Sequence, residues 1–382
     1  MQISEKEEIT SKWFGSLRDK ICAEFEKIEE DYLVANFAAK SHPSHNNLKF
    51  STPQKFARKQ WKRAVAEDDV RGSNVKDGED ANINGAQGGG GEMSVMKGNV
   101  FEKVGVNIST VFGELSQEFR GQLPGTENSA KFFATGVSLV AHMASPLVPA
   151  VHMNTRFIHT EKEWFGGGAD LNPMFEVEQD TQDFHQAFKK ACDAYDLSLG
   201  KNNHFENPTH ESIDLKNSSD QNNHSKNSSY EKFKKECDEY FFIKHRGVSR
   251  GVGGIFYDYL NNGFADKKFS HLQNSDGNSA NNSKNTAEHF TQNNDKNLTD
   301  IFTKDFNFTK NVGLAFLEIF PKLVRQNMLK HWAEEQREHQ LRKRGLYAEF
   351  NLIYDRGTKF GLMTGGNVEA ILMSLPPVAK WD

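Results

Sequence analysis

The chain has 382 residues, a formal net charge of -5 and 26% charged side chains, which suits one large domain or two ordinary ones. Its basic residues are dispersed, and no RNA-binding or helix-turn-helix signature is present, so a nucleic-acid partner is not expected. The three cysteines, Cys22, Cys192 and Cys237, lie far apart and form no CxxC pair. That pattern predicts a reducing cytoplasm rather than a disulfide framework or a zinc knuckle.

The opening MQISEKEE is acidic where an export signal is basic and then apolar, so no export is expected. Over residues 10–35, Trp13, Leu17, Ile21, Phe25, Ile28 and Tyr32 recur at three- and four-residue spacing. They predict a core-facing amphipathic helix. From Arg71 to Gly91 the composition falls to Gly, Asn, Asp and Lys, predicting a mobile insertion over 71–87, since little apolar surface is available to offset ordering. The end of that stretch, GGGGEMSVMKGNVFEKVGVNIS, lacks the GKS/T that grips a nucleotide. A flap beside a site is the better reading.

Residues 132–151 carry no Lys, Arg, Asp or Glu over roughly a bilayer-spanning length. Gly136, His142, Pro146 and Pro149 interrupt the run, so no integral membrane segment is expected. Within and after it lies the stretch around which the chain is organised, Ser138 to Asp170. Ser138, Val140 and His142 occupy alternate positions in its first half, and in its second His152, Asn154 and Arg156 alternate with Val151, Met153, Thr155 and Phe157. A strand turns successive side chains to opposite faces, so each set shares one side. Such a face is either a solvated surface or the floor of a cleft for an anionic ligand, and a cluster of His, Asn and Arg favours the cleft.

The sequence WFGGGADLNP then predicts a tight turn that presents the carboxylate of Asp170, with a simple cap as the alternative. A helix is predicted over 181–196, with Phe184, Phe188, Ala191 and Tyr195 inward and His185 beside that face. Residues 201–229 and 270–300 are Asn- and Ser-rich low-complexity insertions by composition. Between them, FFIKHRGVSRGVGGIFYDYL reads as two strands around a Gly-rich turn bearing His245, Arg246 and Arg250. A long helix is predicted over 311–344, kinked at Pro321. Strands are predicted over 347–354 and in KFGLMTGG. The expected fold class is α+β: a single domain with a large, mostly antiparallel sheet flanked by helices.

Arg156 is a fork of fixed donors suited to a carboxylate, and Arg246 or Arg250 would serve a ligand carrying several. His142, His152, His185 and His245 suit proton transfer or metal coordination, though no HExxH signature groups them. No redox cysteine pair, haem motif or flavin fingerprint appears. An organic cofactor is therefore not expected, and a redox reaction would take its electrons from the substrate.

The stretches GGGGEMSVMKGNVFEKVGVN, SLVAHMASPLVPAVHMNTRFI, WFGGGADLNP, EYFFIKHRGVSRGVGGIFYDYL and YAEFNLIYDRGTKFGLMTGGNVEAILMSLPP resemble oxygen-dependent coproporphyrinogen III oxidases. The resemblance implies a homodimer that uses O2 to convert two propionates of coproporphyrinogen III into the vinyl groups of protoporphyrinogen IX, in haem biosynthesis. It implies that Ser138 contacts substrate, that Asn154, Thr155 and Arg156 bind it, and that His152 donates a proton. Asp170 falls on an aspartate implied to meet the pyrrole N–H groups. Gly365, Gly366 and Asn367 fall on a substrate-binding turn where many members carry Arg at the last position. His142, His152, His185 and His245 match positions assigned to a divalent metal in bacterial members, with HMASP departing from the commoner HPxNP. Residues 347–382 resemble the dimerisation region. The rival readings are a metal-dependent hydrolase or oxygenase acting on a small acid, and a tetrapyrrole carrier without catalysis.

Overall fold

The computed structural model describes residues 1–38, 48–63, 88–115, 120–121, 123–200, 228–261, 294–363 and 366–381. Seven strands form one fully antiparallel sheet: β1 (Ala57–Lys62), β2 (Gly88–Met96), β3 (Phe101–Glu114), β4 (Lys131–Met143), β5 (Ala150–His159), β6 (Glu163–Asn172) and β9 (Gly253–Leu260). They are hydrogen-bonded in that order. β7 (Phe242–Ile243) and β8 (Val248–Ser249) make a small separate hairpin just before β9. The helices are α1 (Ile3–Ala38), α2 (Glu178–Ser198), α3 (Ser229–Tyr240), α4 (Asn294–Asn327), α5 (Glu334–Ile353), α6 (Arg356–Met363) and α7 (Val368–Leu372). The α+β class with a large antiparallel sheet is as the sequence predicts.

Alternation divides the sheet into two unlike faces. Val106 on β3, Leu139 on β4, Met153 and Phe157 on β5 and Phe165 on β6 share one face and are almost wholly buried. They pack in one core with Phe14, Leu17, Ile21 and Phe25 of α1, Phe184 and Phe188 of α2, and Phe316 and Phe320 of α4. Burial of this much aromatic and aliphatic surface is the main stabilising term. The opposite face carries the polar side chains. It is covered only in part, by α5 and the segment that follows it: Asn107 of β3 donates to Ala370 O, Lys103 to Leu375 O, and Lys59 of β1 pairs with Glu369.

Several predicted elements change. The N-terminal helix is longer, spanning Ile3–Ala38, and the Gly88–Gly91 run is the start of a strand rather than loop. Asp170 lies within β6, not at a turn. The long helix expected over 311–344 is two helices, and Pro321 lies inside the first of them. Residues 347–353 and 359–363, expected as strands, are helical, with Tyr354 as the C-cap of the first helix. In α5 the buried set Leu341, Arg344, Tyr347, Ala348 and Asn351 follows the helical period, which an eight-residue window of alternating character does not reveal. Of the compositional insertions, 71–87 and most of 201–229 and 270–300 fall outside the described residues. Ser228 and Ser229 instead begin α3, with Ser228 as its N-cap, and 294–300 belong to α4. All three cysteines are free and buried, and no helix among the described residues is long and apolar enough to cross a membrane.

Candidate active site

The polar face is built by register. Val140, His152, Asp170 and Gly254 stand side by side across β4, β5, β6 and β9, and in the next row Asn107, Ser138, Asn154 and Gly168 do the same across β3 to β6. A third row holds Ser109, Gly136, Arg156 and Gly166. Much of this floor is therefore glycine or serine. At Gly166 the reason is a close approach: an added Cβ would lie 2.8 Å from Nε, Cζ and Nη2 of Arg156. Only glycine lets the guanidinium lie across β6.

The functional groups form one chain of hydrogen bonds. Asp258 of β9 pairs with Arg156 Nη2 at 2.8 Å, Arg156 Nη1 donates to Asn154 Oδ1 at 3.0 Å, and Asn154 Nδ2 donates to His152 Nε2 at 3.1 Å. His152 Nδ1 then donates to Asp170 Oδ1 at 2.8 Å. Asp170 is 1% exposed and also accepts from Asn172 Nδ2 and from Nε and Nη2 of Arg250. Burial alone would raise the Asp170 carboxyl, but the Arg250 guanidinium and the His152 bond outweigh it and hold it at about 2. The carboxylate is thus fixed as an anion, and it fixes His152 with the proton on Nδ1, leaving Nε2 as the acceptor.

Arg250 was a candidate for grasping substrate carboxylates, yet its side chain is 2% exposed and wholly engaged. Beyond the Asp170 fork, its Nη1 donates to Asn351 of α5, and its Cζ lies 4.0 Å, 4.6 Å and 4.6 Å from the ring centroids of Phe241, Tyr347 and Phe350. Arg246 is taken by Glu349. Arg156, with a side chain 28% exposed, reaches the open face, and the exposed Arg356 lies over the same Phe256 ring, 5.7 Å from its centroid against 6.0 Å for Arg156.

The remaining sequence-derived candidates divide. Ser138 is exposed on the floor beside Asn154. Thr155 points the other way, is fully buried among the core-facing residues and leaves its hydroxyl without a partner. Asp170, read as meeting pyrrole N–H groups, has its oxygens committed inside the protein. Gly365 lies outside the described residues. Gly366 donates its backbone N–H to Gly361 O, and Asn367 caps α7 by accepting from Ala370 N.

The four histidines do not converge. His142 Nε2 donates to Ser374 O, and burial pushes its pKa down to about 3. His185 lies between Val252 O and the Tyr230 hydroxyl, and His245 between Tyr354 and Glu349. Among the described residues no three His, Cys, Asp or Glu side chains are placed to hold one ion. His142 Nδ1 is the ring nitrogen of this set left without a partner. Arranged in this way, the set does not fit a shared metal.

Sequence reasoning missed Asp258, Asn172, Asn351 and the aromatic cage of Arg250. Asp258 carried a signal, since in GGIFYDYL it sits two positions from Phe256 and so shares its face. Asn172 carried the same signal, two positions from Asp170 on β6; Asn351 and the cage come from distant elements and had none.

The class defined is thus an α+β protein with one large antiparallel sheet, whose open face carries Arg156 beside a histidine with a fixed proton. The family model described as coproporphyrinogen III oxidase matches residues 10–207 and 209–382. The oxygen-dependent coproporphyrinogen-III oxidases of Rickettsia bellii strain OSU 85-389 and Rickettsia akari strain Hartford are 48% and 47% identical to it. The first alignment covers 98% of each chain, the second 99%. The chain belongs to the coproporphyrinogen III oxidase family.

Proposed function

We propose that this protein catalyses the oxygen-dependent oxidative decarboxylation of coproporphyrinogen III to protoporphyrinogen IX in haem biosynthesis. Full-length identity to relatives named for that activity supports the reading. The observation that carries it structurally is Arg156, reachable and held in place by Asp258 and Asn154 on a floor of small residues. A guanidinium so fixed meets a propionate carboxylate with two parallel donors. Each propionate, one proton and one O2 become a vinyl group, CO2 and H2O2. The electron pair leaves the electron-rich macrocycle for oxygen, so no redox side chain is required of the protein.

In this reading the floor and Ser138 seat the macrocycle, and Arg156 holds the reacting arm, turning a loose encounter into a positioned one. His152 handles protons at Nε2. Asp170 acts through His152 by holding its tautomer and orientation, and Arg250 keeps Asp170 charged. No step is routed through a metal, because the four histidines make separate contacts and do not converge on one site. We place the reaction in the cytoplasm, a reading supported by the free thiols. A homodimer is supported by the exposed apolar side chains gathered toward the C-terminal end, Leu352, Ile353, Leu362, Val368, Val378 and Trp381. Sedimentation of the purified protein tests the dimer.

The deciding experiment is aerobic incubation with coproporphyrinogen III, followed by fluorescence of the oxidised porphyrins and by CO2 measurement. Conversion to protoporphyrin with loss of two CO2 per macrocycle is expected. Binding without CO2 release would instead establish a carrier.

A further inference from the structure

We propose that Tyr230 and His185 form a bracket that positions the turn carrying Arg250, and that His185 serves the reaction in this way rather than as a metal ligand. The proposal rests on the reading in which Arg250 supports Asp170 and His152.

The turn needs an external support. Arg250 and Val252 are interleaved with Gly251, Gly253 and Gly254, and Gly253 has φ +83°, in the left-handed region. A segment this rich in glycine loses much conformational freedom on folding and has few side chains to hold it. Its backbone is tied at three points. Arg250 N donates to Phe241 O at 3.0 Å, Val252 N donates to Leu171 O at 3.0 Å, and Val252 O accepts from His185 Nε2 at 3.1 Å. The first two are strand-like backbone bonds. The third comes from a side chain on α2 and reaches the turn two residues from Arg250.

Both nitrogens of His185 are spent on this task. A carbonyl accepts only from an N–H, so the proton is on Nε2 and Nδ1 is bare. Tyr230 of α3 donates its hydroxyl to that bare nitrogen at 3.0 Å, which selects the tautomer aimed at Val252. No lone pair remains for a cation. The ring is largely buried, and burial lowers its pKa, in keeping with a neutral imidazole. The bracket therefore links α3, α2 and the turn, and through Arg250 it reaches Asp170 and His152.

The test uses His185→Phe, which abolishes the bond to Val252, His185→Gln, whose amide N–H can replace it, and Tyr230→Phe, which frees the tautomer. Each is compared with wild type for kcat and KM with coproporphyrinogen III, for bound metal by elemental analysis, and for amide hydrogen exchange over residues 248–256. The expected result is that His185→Phe loses roughly tenfold or more in kcat, with faster exchange confined to the turn and an unchanged circular dichroism spectrum. His185→Gln should recover most of the loss, and metal should be sub-stoichiometric in all. Stoichiometric metal in wild type that disappears in His185→Gln overturns the proposal, as does wild-type kcat and exchange in His185→Phe. If His185→Phe does not fold, Tyr230→Phe decides: faster exchange in the turn with lowered kcat supports the bracket, and wild-type behaviour overturns it. A wild-type protein that turns over no coproporphyrinogen III would sink the proposed function instead, leaving the exchange data to judge the bracket alone.

Discussion

His152 and Asp170 face each other as register partners on β5 and β6, with Nδ1 and Oδ1 2.8 Å apart. No loop intervenes, so the orientation of the imidazole is set by the sheet itself. Because Asp170 is also gripped by Arg250, the pair cannot separate without exposing or orphaning a buried charge.

Asp170→Asn keeps the shape of the side chain but replaces the charged acceptor that orients His152 Nδ1 with a neutral amide. Turnover should fall by roughly 10²–10⁴-fold, with KM changed much less. Steady-state kinetics on folded protein checks this, and near-normal kcat would remove Asp170 from the mechanism. Both Asn and Ala leave Arg250 buried without its counter-charge, at a cost of about 3–5 kcal/mol, but Asp170→Ala is the poorer probe because it also removes the acceptor oxygen that meets Arg250 and His152.

Arg156→Lys retains the charge but loses the planar fork. The affinity for coproporphyrinogen III should drop by about 1.5–3 kcal/mol, the range for a hydrogen bond to a charged group, read as a rise in KM. Asp258→Asn should weaken binding less, because Asn154 still holds the other guanidinium nitrogen.

Gly166→Ala tests the floor. The new methyl would lie 2.8 Å from the Arg156 guanidinium, and the flexible end of that arginine is what must move. Melting temperature should therefore change little, while kcat/KM falls roughly tenfold or more through misplacement of the guanidinium. Equal losses in stability and activity would contradict this.

Acid stability should depend on Glu102. At the bulge between Phe101 and Lys103 it receives Arg337 and Arg344 of α5, the latter 1% exposed. Burial would raise its carboxyl, but the two guanidiniums outweigh that and lower it from the ordinary 4.5. A depressed carboxyl contributes stability above its unfolded value, and the contribution is lost as pH falls below 4.5. Glu102→Gln should unfold more readily at neutral pH, by about 3–5 kcal/mol, and its stability should decline less steeply than wild type on acidification. Denaturant titrations at several pH values decide it.

The polar face was legible because strand alternation is a local rule: His152, Asn154 and Arg156 were read onto one side from spacing alone, and the structure keeps them there. The same rule put Thr155 on the far side, against the role that resemblance implied for it. What stayed hidden depends on distant partners. Nothing near Asp170 announces that an arginine 80 residues away will occupy both its oxygens, and nothing near Arg250 announces a cage drawn from Phe241, Tyr347 and Phe350. The misread helix at 347–353 has the same origin, since its buried stripe is defined by the sheet beneath it.

The seclusion of the three thiols has a chemical result. Only a thiolate reacts readily with peroxide, and burial pushes Cys22 up to about 12 and raises Cys192 and Cys237 as well. A protein that releases an oxidant at each turnover thus keeps its own sulfur in the unreactive form, so inactivation during prolonged catalysis should not begin at cysteine.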